Sequence, residues 1–438
     1  MERWIDLTPE ACIAALRGAG LERAWWAPDP DSGGVRSSAP ELAELARYLE
    51  AACPSWDSHE ALFLAVGATS DALMTATVHR STRGQAQGGL RLMPYSNLGA
   101  CLEDGLRLSR AMSRKAALAG LWWGGGKGII ARPADDRWRD PAWRAAAYSD
   151  YGRFVSTLRG CYVTAEDAGT TPEDLRHVLA HSRFVTCVPL DAGGSGNPSP
   201  ATAAGVLAGI EASLAFLDLG DLTGKRVTVQ GLGAVGSALT DGLLARGAGV
   251  TACDISRARV EAMTERHTGA AFSAHVAAPG DFSLLAEPCD VLAPCALGGV
   301  LGPETIGTLR TRIVCGATNN PLVDPARDAA ALARRAILYV PDFVVNRMGI
   351  VSCANEQYGS LSPDPAVARH LDPADPESIQ QTVTRVLRTA HAKGTSPLSA
   401  AHQLADAKVS EPHPLWGTRA CTLVEHVLEE WGAGEAPR

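Results

Sequence analysis

Lys225-Arg226-Val227-Thr228-Val229-Gln230 runs into Gly231-Leu232-Gly233-Ala234-Val235-Gly236, then Ser237–Ala245, then Gly249-Val250-Thr251-Ala252-Cys253 and Asp254. The first run has strand character, the glycine segment is G-x-G-x-x-G, and Ser237–Ala245 reads as a helix. A strand, a glycine turn, a helix and a second strand closed by an acid make a dinucleotide-binding unit. The glycines permit a tight turn, close approach of a pyrophosphate and close helix–strand packing, and the helix N-terminus faces the phosphate charge. Asp254, 18 residues beyond the third glycine, is placed to accept hydrogen bonds from an adenosine ribose and to repel a 2′-phosphate. NAD is therefore expected rather than NADP, a preference that the neighbouring Arg257 and Arg259 weaken.

Further strands at Val291–Ala293, Ile313–Cys315 and Ile337–Val340 alternate with helical stretches. They extend the unit into a doubly wound parallel sheet of the Rossmann type, expected over 196–348. Upstream, Gly193–Pro198 has the composition of a hinge, and Ala201–Leu217 reads as a helix rich in small residues. Beyond Asn346 the chain reads as helical, with a break at Pro363–Pro376 and a disordered tail from Gly432 to Arg438. These C-terminal helices, 349–438, are expected to pack back across the cleft and onto the first domain.

Residues 1–195 read as an α/β domain with a mixed sheet. Pro9–Arg17 and Ala39–Ala52 look helical around a loop at Pro28–Gly34, and this part carries no legible chemistry. Ala61–Val66 and Leu73–Val78 read as strands about a turn at Gly67–Asp71. After Tyr95, residues Leu98, Leu102, Leu108, Met112, Lys115 and Ala119 fall near one face of a long helix, which puts a lysine on an apolar stripe. Such a lysine either snorkels to solvent or is a partly buried ammonium set to meet an anion. Gly124-Gly125-Gly126-Lys127-Gly128 reads as a glycine turn that brings backbone close to whatever Lys127 addresses. It is not a P-loop, because Leu121 stands where a glycine is required and Gly128 where Ser or Thr is required. Tyr162–Ala165 reads as a strand ending in Glu166-Asp167, ahead of a helix start at Gly169–Asp174.

The 438 residues carry a formal charge of -8, which argues against nucleic acid or an anionic membrane as the main partner. No run approaches the roughly 18 apolar residues of a membrane span, and the N-terminus lacks the pattern of a signal peptide. The 11 cysteines lie singly, without a C-x-x-C pair or a metal-ligand spacing, so free thiols in a reducing cytoplasm and no metal are expected.

Set in order, Gly88-Gly89-Leu90-Arg91, Met112-Ser113-Arg114-Lys115, Gly124-Gly125-Gly126-Lys127, Thr164-Ala165-Glu166-Asp167 and Pro198–Thr202 lead into the glycine turn. Ala293–Gly299, Ala317-Thr318-Asn319-Asn320 and Pro341–Asn346 follow it. Together they resemble the glutamate/leucine/phenylalanine/valine dehydrogenase family, closest to its leucine, valine and phenylalanine branch. The resemblance implies reversible oxidative deamination of an L-amino acid to a 2-oxo acid and ammonia, in a homo-oligomer built on the N-terminal domain. It implies that Lys115 binds the substrate α-carboxylate, that Lys127 is the catalytic lysine, and that Asp167 exchanges protons at the amino group. Gly88, Gly89, Met112, Asn320 and Asn346 are expected around the substrate, with Gln87, Ala165, Ile350 and Cys353 near its side chain. Thr202, Cys295, Ala296 and Asn319 would join Gly231, Gly233, Ala234, Val235, Gly236 and Asp254 around the cofactor.

Two positions depart from the family pattern. Gln87 stands where a lysine would pair the side-chain carboxylate of glutamate, so glutamate is disfavoured and a non-standard apolar, aromatic or polar uncharged side chain is expected, the buried amide favouring one that can hydrogen-bond to it. Arg347-Met348 replaces a small Ala-Gly pair, which either remodels the turn or points a guanidinium into the cleft. The competing readings are a catalytically degenerate NAD-binding regulator, a glutamate dehydrogenase, and a 2-hydroxy-acid dehydrogenase. The last would need a catalytic histidine–acid pair, and no histidine flanks the motifs.

Overall fold

In the computed structural model, which describes residues 3–359, 361 and 363–432, the strand-forming runs gather into two sheets in two separate units. The expected tail, from 433 onward, lies outside the described residues.

The first unit comprises Met1–Asn197, Cys353–Ser360 and Asp406–Arg438. Its seven-stranded sheet contains β1 (Arg23–Pro28), β2 (Val35–Ser37), β3 (Ala61–Val66), β4 (Leu73–Arg80), β5 (Ala86–Met93), β6 (Gly124–Ala131) and β7 (Tyr162–Glu166). The order is β2-β1-β3-β4-β6-β5-β7. β5 runs parallel to β6 and β7, and the remaining pairs are antiparallel, so the sheet is mixed as expected. β1 and β2 were not foreseen. The stretch read only as a loop is the connection between them, closed by the Asp29 amide donating to the Gly34 carbonyl at 2.8 Å.

Alternation along β3 shows how the layers form. Leu62 and Leu64 face a core with Trp26, Leu42, Leu45, Leu49 and the helix residues Leu98, Leu102 and Leu106. Phe63 faces the opposite core with Tyr148, Tyr151, Phe154, Leu175 and the C-terminal helix residues Val424, Val427, Leu428 and Trp431. A period of two thus divides one strand between two helix layers.

The glycine run is not a turn. Gly124, Gly125, Gly126 and Lys127 lie inside β6, fully within the sheet. A side chain at Gly125 would strike Ser113 and the Ser109 carbonyl on the helix Leu98–Leu118, and one at Gly88 would strike the Gly126 carbonyl on the neighbouring strand. The missing Cβ atoms serve close packing of strand on strand and helix on strand.

The second unit, Pro198–Ser352 with Leu361–Ala405, holds a parallel six-stranded sheet. Its strands are β8 (Arg226–Gln230), β9 (Gly249–Asp254), β10 (Phe272–Val276), β11 (Val291–Pro294), β12 (Ile313–Val314) and β13 (Leu338–Tyr339). The order β10-β9-β8-β11-β12-β13 is that of a doubly wound Rossmann sheet. The helix Ser199–Phe216 is, contrary to the composition reading, long and apolar enough to cross a membrane. Much of it is buried, packed on the helices Ala234–Leu244 and Ile379–Lys393, as a core helix of this unit.

Two buried histidines fasten the helix Leu98–Leu118 to the first sheet. His59 Nδ1 accepts from the Asp57 amide at 3.1 Å and its Nε2 faces the Leu106 carbonyl at 3.0 Å. His79 Nδ1 meets the Ser113 hydroxyl at 2.8 Å and its Nε2 faces the Asp57 carbonyl at 3.1 Å. These partners suit neutral rings protonated on Nε2, and a second proton on His59 would face an N–H donor. Burial, reinforced by nearby Arg80 and Arg110, pushes His59 down to about 4 and His79 to about 2. In an unfolded chain both titrate near 6.5. Their contribution to stability is therefore complete above pH ~6.5 and is lost as pH falls toward the folded values, by about 1.4 kcal/mol per pH unit for each ring. We expect Tm to fall steeply between pH 6.5 and about 4, and His79→Gln to flatten that dependence in differential scanning calorimetry. An equally steep slope in the variant would contradict this account.

Candidate active site

Within the first unit, register places Gln87, Gly89 and Arg91 of β5 on the same sheet face as Gly125 and Lys127 of β6 and as Val163 and Ala165 of β7. Asp167 follows β7 by one residue. This is the face covered by the helix Leu98–Leu118, since Gly125 lies against Ser113. Lys115 and Met112 belong to that helix. Lys115 is buried and Met112 is half-buried, so the lysine on the apolar stripe is an internal one.

The Lys127 ammonium donates to Asp167 Oδ2 at 2.6 Å and is only 5% exposed. The same oxygen accepts from Arg91 Nε at 2.8 Å. Burial lowers the Lys127 pKa, Asp167 opposes that shift, and Arg91 adds to it. Burial alone would raise the Asp167 carboxyl, but the two cations outweigh it and hold the group well below the usual carboxylate range. Glu166, on the opposite face, behaves in the reverse sense. Burial, with Asp167 and Asp174 nearby, lifts it to about 7.

Gln87 is buried, and its amide nitrogen donates to Thr186 Oγ1 at 3.2 Å. Its donor thus has a protein partner already. Ala165 and Cys353 lie buried in the same core cluster. Cys353 is brought into this unit by Glu356, whose carboxylate accepts from the amides of Cys187 (2.8 Å), Val188 (3.1 Å) and Ser195 (3.0 Å). Sequence reading passed over Glu356 because those partners lie more than 160 residues away.

In the second unit the glycine turn is built as expected. Gly231 has φ +98°, a left-handed conformation that suits glycine, and a side chain at Gly236 would collide with the Gly231 carbonyl. The helix Ala234–Leu244 starts at Gly233 with no side-chain cap, so its first amides are left for an anion. Ala234 and Val235 supply that first turn. Asp254 Oδ2 accepts from the Leu232 amide at 2.7 Å and Oδ1 from the Ser256 amide at 2.8 Å, which ties the end of β9 to the turn. Arg259 stands 3.6 Å from Asp254 Oδ2. Cys295 and Ala296 lie against Gly231, and the buried Gln230 Oε1 next to the turn has no hydrogen-bond partner among the described residues. The uncapped amides at the start of this helix fit a dinucleotide phosphate, and the Gln230 oxygen fits a hydroxyl donor rather than the phosphate.

The carboxyl ends of the next strands converge as well. Asn346 Nδ2 donates to Asn319 Oδ1 at 2.8 Å and to the Ala317 carbonyl at 3.0 Å. The Asn320 amide, at φ +50°, donates to Asp342 Oδ2 at 3.0 Å. Thr202 Oγ1 donates to the Pro198 carbonyl at 3.0 Å, and the space beside it is bordered by Gly349, next to Ile350. Arg347 does not take the place considered for it. It is fully buried within the second unit, donating to Thr382 Oγ1 at 3.1 Å and to the Glu377 carbonyl, and its own backbone is helical. The Arg-Met pair is accommodated by packing against the 377–382 segment.

These geometries have parallels. The family profile "Glutamate/Leucine/Phenylalanine/Valine dehydrogenase" matches residues 193–417, and "Glu/Leu/Phe/Val dehydrogenase, dimerisation domain" matches 73–183. The chain is 34% identical over 336 residues to a phenylalanine dehydrogenase of Caldalkalibacillus thermarum, covering 76% of this chain and 86% of the relative. It is 35% identical over 368 residues to a leucine dehydrogenase of Bacillus subtilis, covering 84% and 94%. Among solved structures, an L-tryptophan dehydrogenase from Nostoc punctiforme superposes with TM-score 0.65 at 30% identity, covering 84% of this chain and 98% of that one.

The shared Asp167 oxygen has a thermodynamic signature. Asp167→Asn would leave the buried Lys127 without its anion and Arg91 with Asp104 alone, and should cost on the order of 3–5 kcal/mol. Lys127→Met removes one cation while Arg91 still neutralises Asp167, and should cost far less. Urea denaturation of the two variants measures the difference. Equal losses would mean that Arg91 and Lys127 do not share the carboxylate.

Proposed function

Because the chain belongs to the glutamate/leucine/phenylalanine/valine dehydrogenase family, we propose that it interconverts an L-amino acid with an apolar or aromatic side chain and its 2-oxo acid, using NAD. The family's reaction is oxidative deamination and, in reverse, reductive amination with ammonia. The observation that carries the reading of the site is the buried Lys127–Asp167 pair at 2.6 Å.

Imine hydrolysis needs a group that is proton donor and acceptor in turn, with a pKa moved toward the working pH. Lys127, lowered by burial, is that group, and Asp167 keeps its ammonium oriented. Lys127 carries the mobile proton, while Asp167 rests as the carboxylate that Lys127 and Arg91 hold ionised. In oxidation the neutral Lys127 receives a proton as water is added at Cα, and the proton is returned toward the departing ammonia through Asp167. Lys115, buried on the adjoining helix, neutralises the substrate α-carboxylate. A nicotinamide, when bound, accepts or returns the Cα hydride. Asp254 favours a free ribose over a 2′-phosphate by its charge, which Arg259 partly offsets.

The side-chain preference follows from Gln87. No lysine is present there to pair a second carboxylate, and the Gln87 donor is already satisfied by Thr186. A polar substrate side chain loses the argument that favoured it, and an apolar one remains, in line with the substrates named for the relatives above. The match of 73–183 to a dimerisation domain supports a homo-oligomer, and thiols that are mostly buried suit a reducing cytoplasm.

The test is oxidation of NADH with ammonia across branched, aromatic and dicarboxylic 2-oxo acids. The best apolar acid should exceed 2-oxoglutarate in kcat/KM by about 100-fold or more, and NADH should outperform NADPH. A preference for 2-oxoglutarate would refute the side-chain reading. Lys127→Ala should lose roughly 10²–10⁴-fold in kcat while binding NADH normally, as measured by fluorescence titration. Undiminished turnover would remove Lys127 from the chemistry.

A further inference from the structure

Arg91 lies two residues beyond the paired glycines of β5, and its guanidinium bridges two carboxylates. Its Nε donates to Asp167 Oδ2 at 2.8 Å and its Nη1 to Asp104 Oδ2 at 3.0 Å. Asp104, on the helix Leu98–Leu118, also accepts from the Tyr95 hydroxyl at 2.8 Å and from Arg107 Nη2 at 2.7 Å. The order Asp104, Arg91, Asp167, Lys127 alternates in charge, and all four side chains are 17% exposed or less.

We infer that Arg91 is a positioning residue of the reaction: by sharing Asp167 Oδ2 with Lys127 it serves as the permanent countercharge of that carboxylate and leaves the mobile proton to Lys127. The inference rests on the roles given above to Lys127 and Asp167. A guanidinium keeps its proton throughout the working range, so it can neutralise Asp167 without taking part in proton exchange. Without it, the buried Lys127 would face the anions Asp167 and Asp104 with no competing cation on this row, and would hold its proton more tightly. Arg91 stays charged because, although burial works against it, Asp167 and Asp104 raise its pKa. A bond made only to tether β5 would not need the oxygen that Lys127 uses.

The remaining charges near the pair do not replace it. Lys115 sits later on the helix, in the place assigned to the substrate carboxylate. Arg107 lies on the far side of Asp104 and is 42% exposed. From β7, Glu166 lies on the opposite sheet face, toward Asp174, and Tyr95 donates to Asp104.

The sign of each substitution follows. Arg91→Met removes a cation from Lys127 and unmasks Asp167, so the pKa of Lys127 rises. Asp104→Asn removes an anion that raises the pKa of Lys127, so that pKa falls. The readout is the acid limb of the kcat/KM–pH profile for oxidation of the amino acid that the wild type uses best. A second readout is the pH midpoint at which trace acetic anhydride acylates Lys127 in the full-length protein without substrate, followed by mass spectrometry. Arg91→Met should move both upward by about one pH unit or more and lower kcat more than it changes KM. Arg91→Lys, which keeps the charge, should recover at least half of the shift. Asp104→Asn should move both downward by roughly half a unit, which decides the matter if Arg91→Met does not fold. Unmoved midpoints in the folded variants would overturn the inference while leaving the dehydrogenase reading intact. If Lys127→Ala keeps its turnover, the inference falls together with the role given to Lys127.

Discussion

The first unit depends on how closely β5, β6 and the helix Leu98–Leu118 can approach one another. That approach is set by atoms that are missing. Without a Cβ at Gly125 the helix settles with Ser109 and Ser113 directly on the strand, and without one at Gly88 the neighbouring strands draw together at Gly126. His59 and His79 then fill the seam between helix and sheet as neutral rings. The depth at which Lys115 and Lys127 sit follows from this packing, and the lowered pKa of Lys127 follows from its depth. Glycines that look like flexible punctuation in the sequence are among the most constrained positions in the fold.

The two units solve different electrostatic problems by different means. The first uses full charges in a buried row, where each ion is flanked by its opposite and the desolvation cost is met by short, directed bonds. The second uses backbone dipoles and neutral amides: the uncapped helix start, the Asp254-anchored turn, and the Asn346–Asn319 pair at the strand ends. Proton exchange calls for the first arrangement, and holding a large anionic dinucleotide calls for the second.

How much of this was legible in the sequence depended on how local each feature is. The glycine turn, its flanking strands and Asp254 form one contiguous unit, and they appear where the spacing puts them. The helix carrying Lys115 was legible from its apolar period. Gly124–Gly126 misled, because composition favours a turn while the tertiary contacts of Ser113 and Tyr162 demand a strand. Arg23–Pro28 was passed over because the tryptophan pair is strand-like only once β3 lies beside it. Arg347 suggested a cleft charge because its partners, Thr382 and Glu377, are 30 to 35 residues downstream. The link from Arg91 to Asp167 spans 76 residues, and no pattern in either segment announces it. Long-range charge partners are written in the fold and not in any window of sequence.

The last described helix, Arg419–Gly432, supplies Val424, Val427, Leu428 and Trp431 to the core of the first unit, with Trp431 edge-on to Phe63 at 5.4 Å between centroids. The sheet it covers is encoded before residue 198, whereas almost all of the second unit is encoded in between. On a ribosome adding about 5–20 residues per second, the sheet emerges with that face uncovered and waits on the order of ten seconds or more for its final layer. During that interval Phe63 and Phe154 are without Trp431, which will pack against both. The dinucleotide-binding unit therefore has the opportunity to fold first, even though its strands are made second, and the newborn chain carries its greatest exposure to chaperones and to its own neighbours in the half that was synthesised earliest.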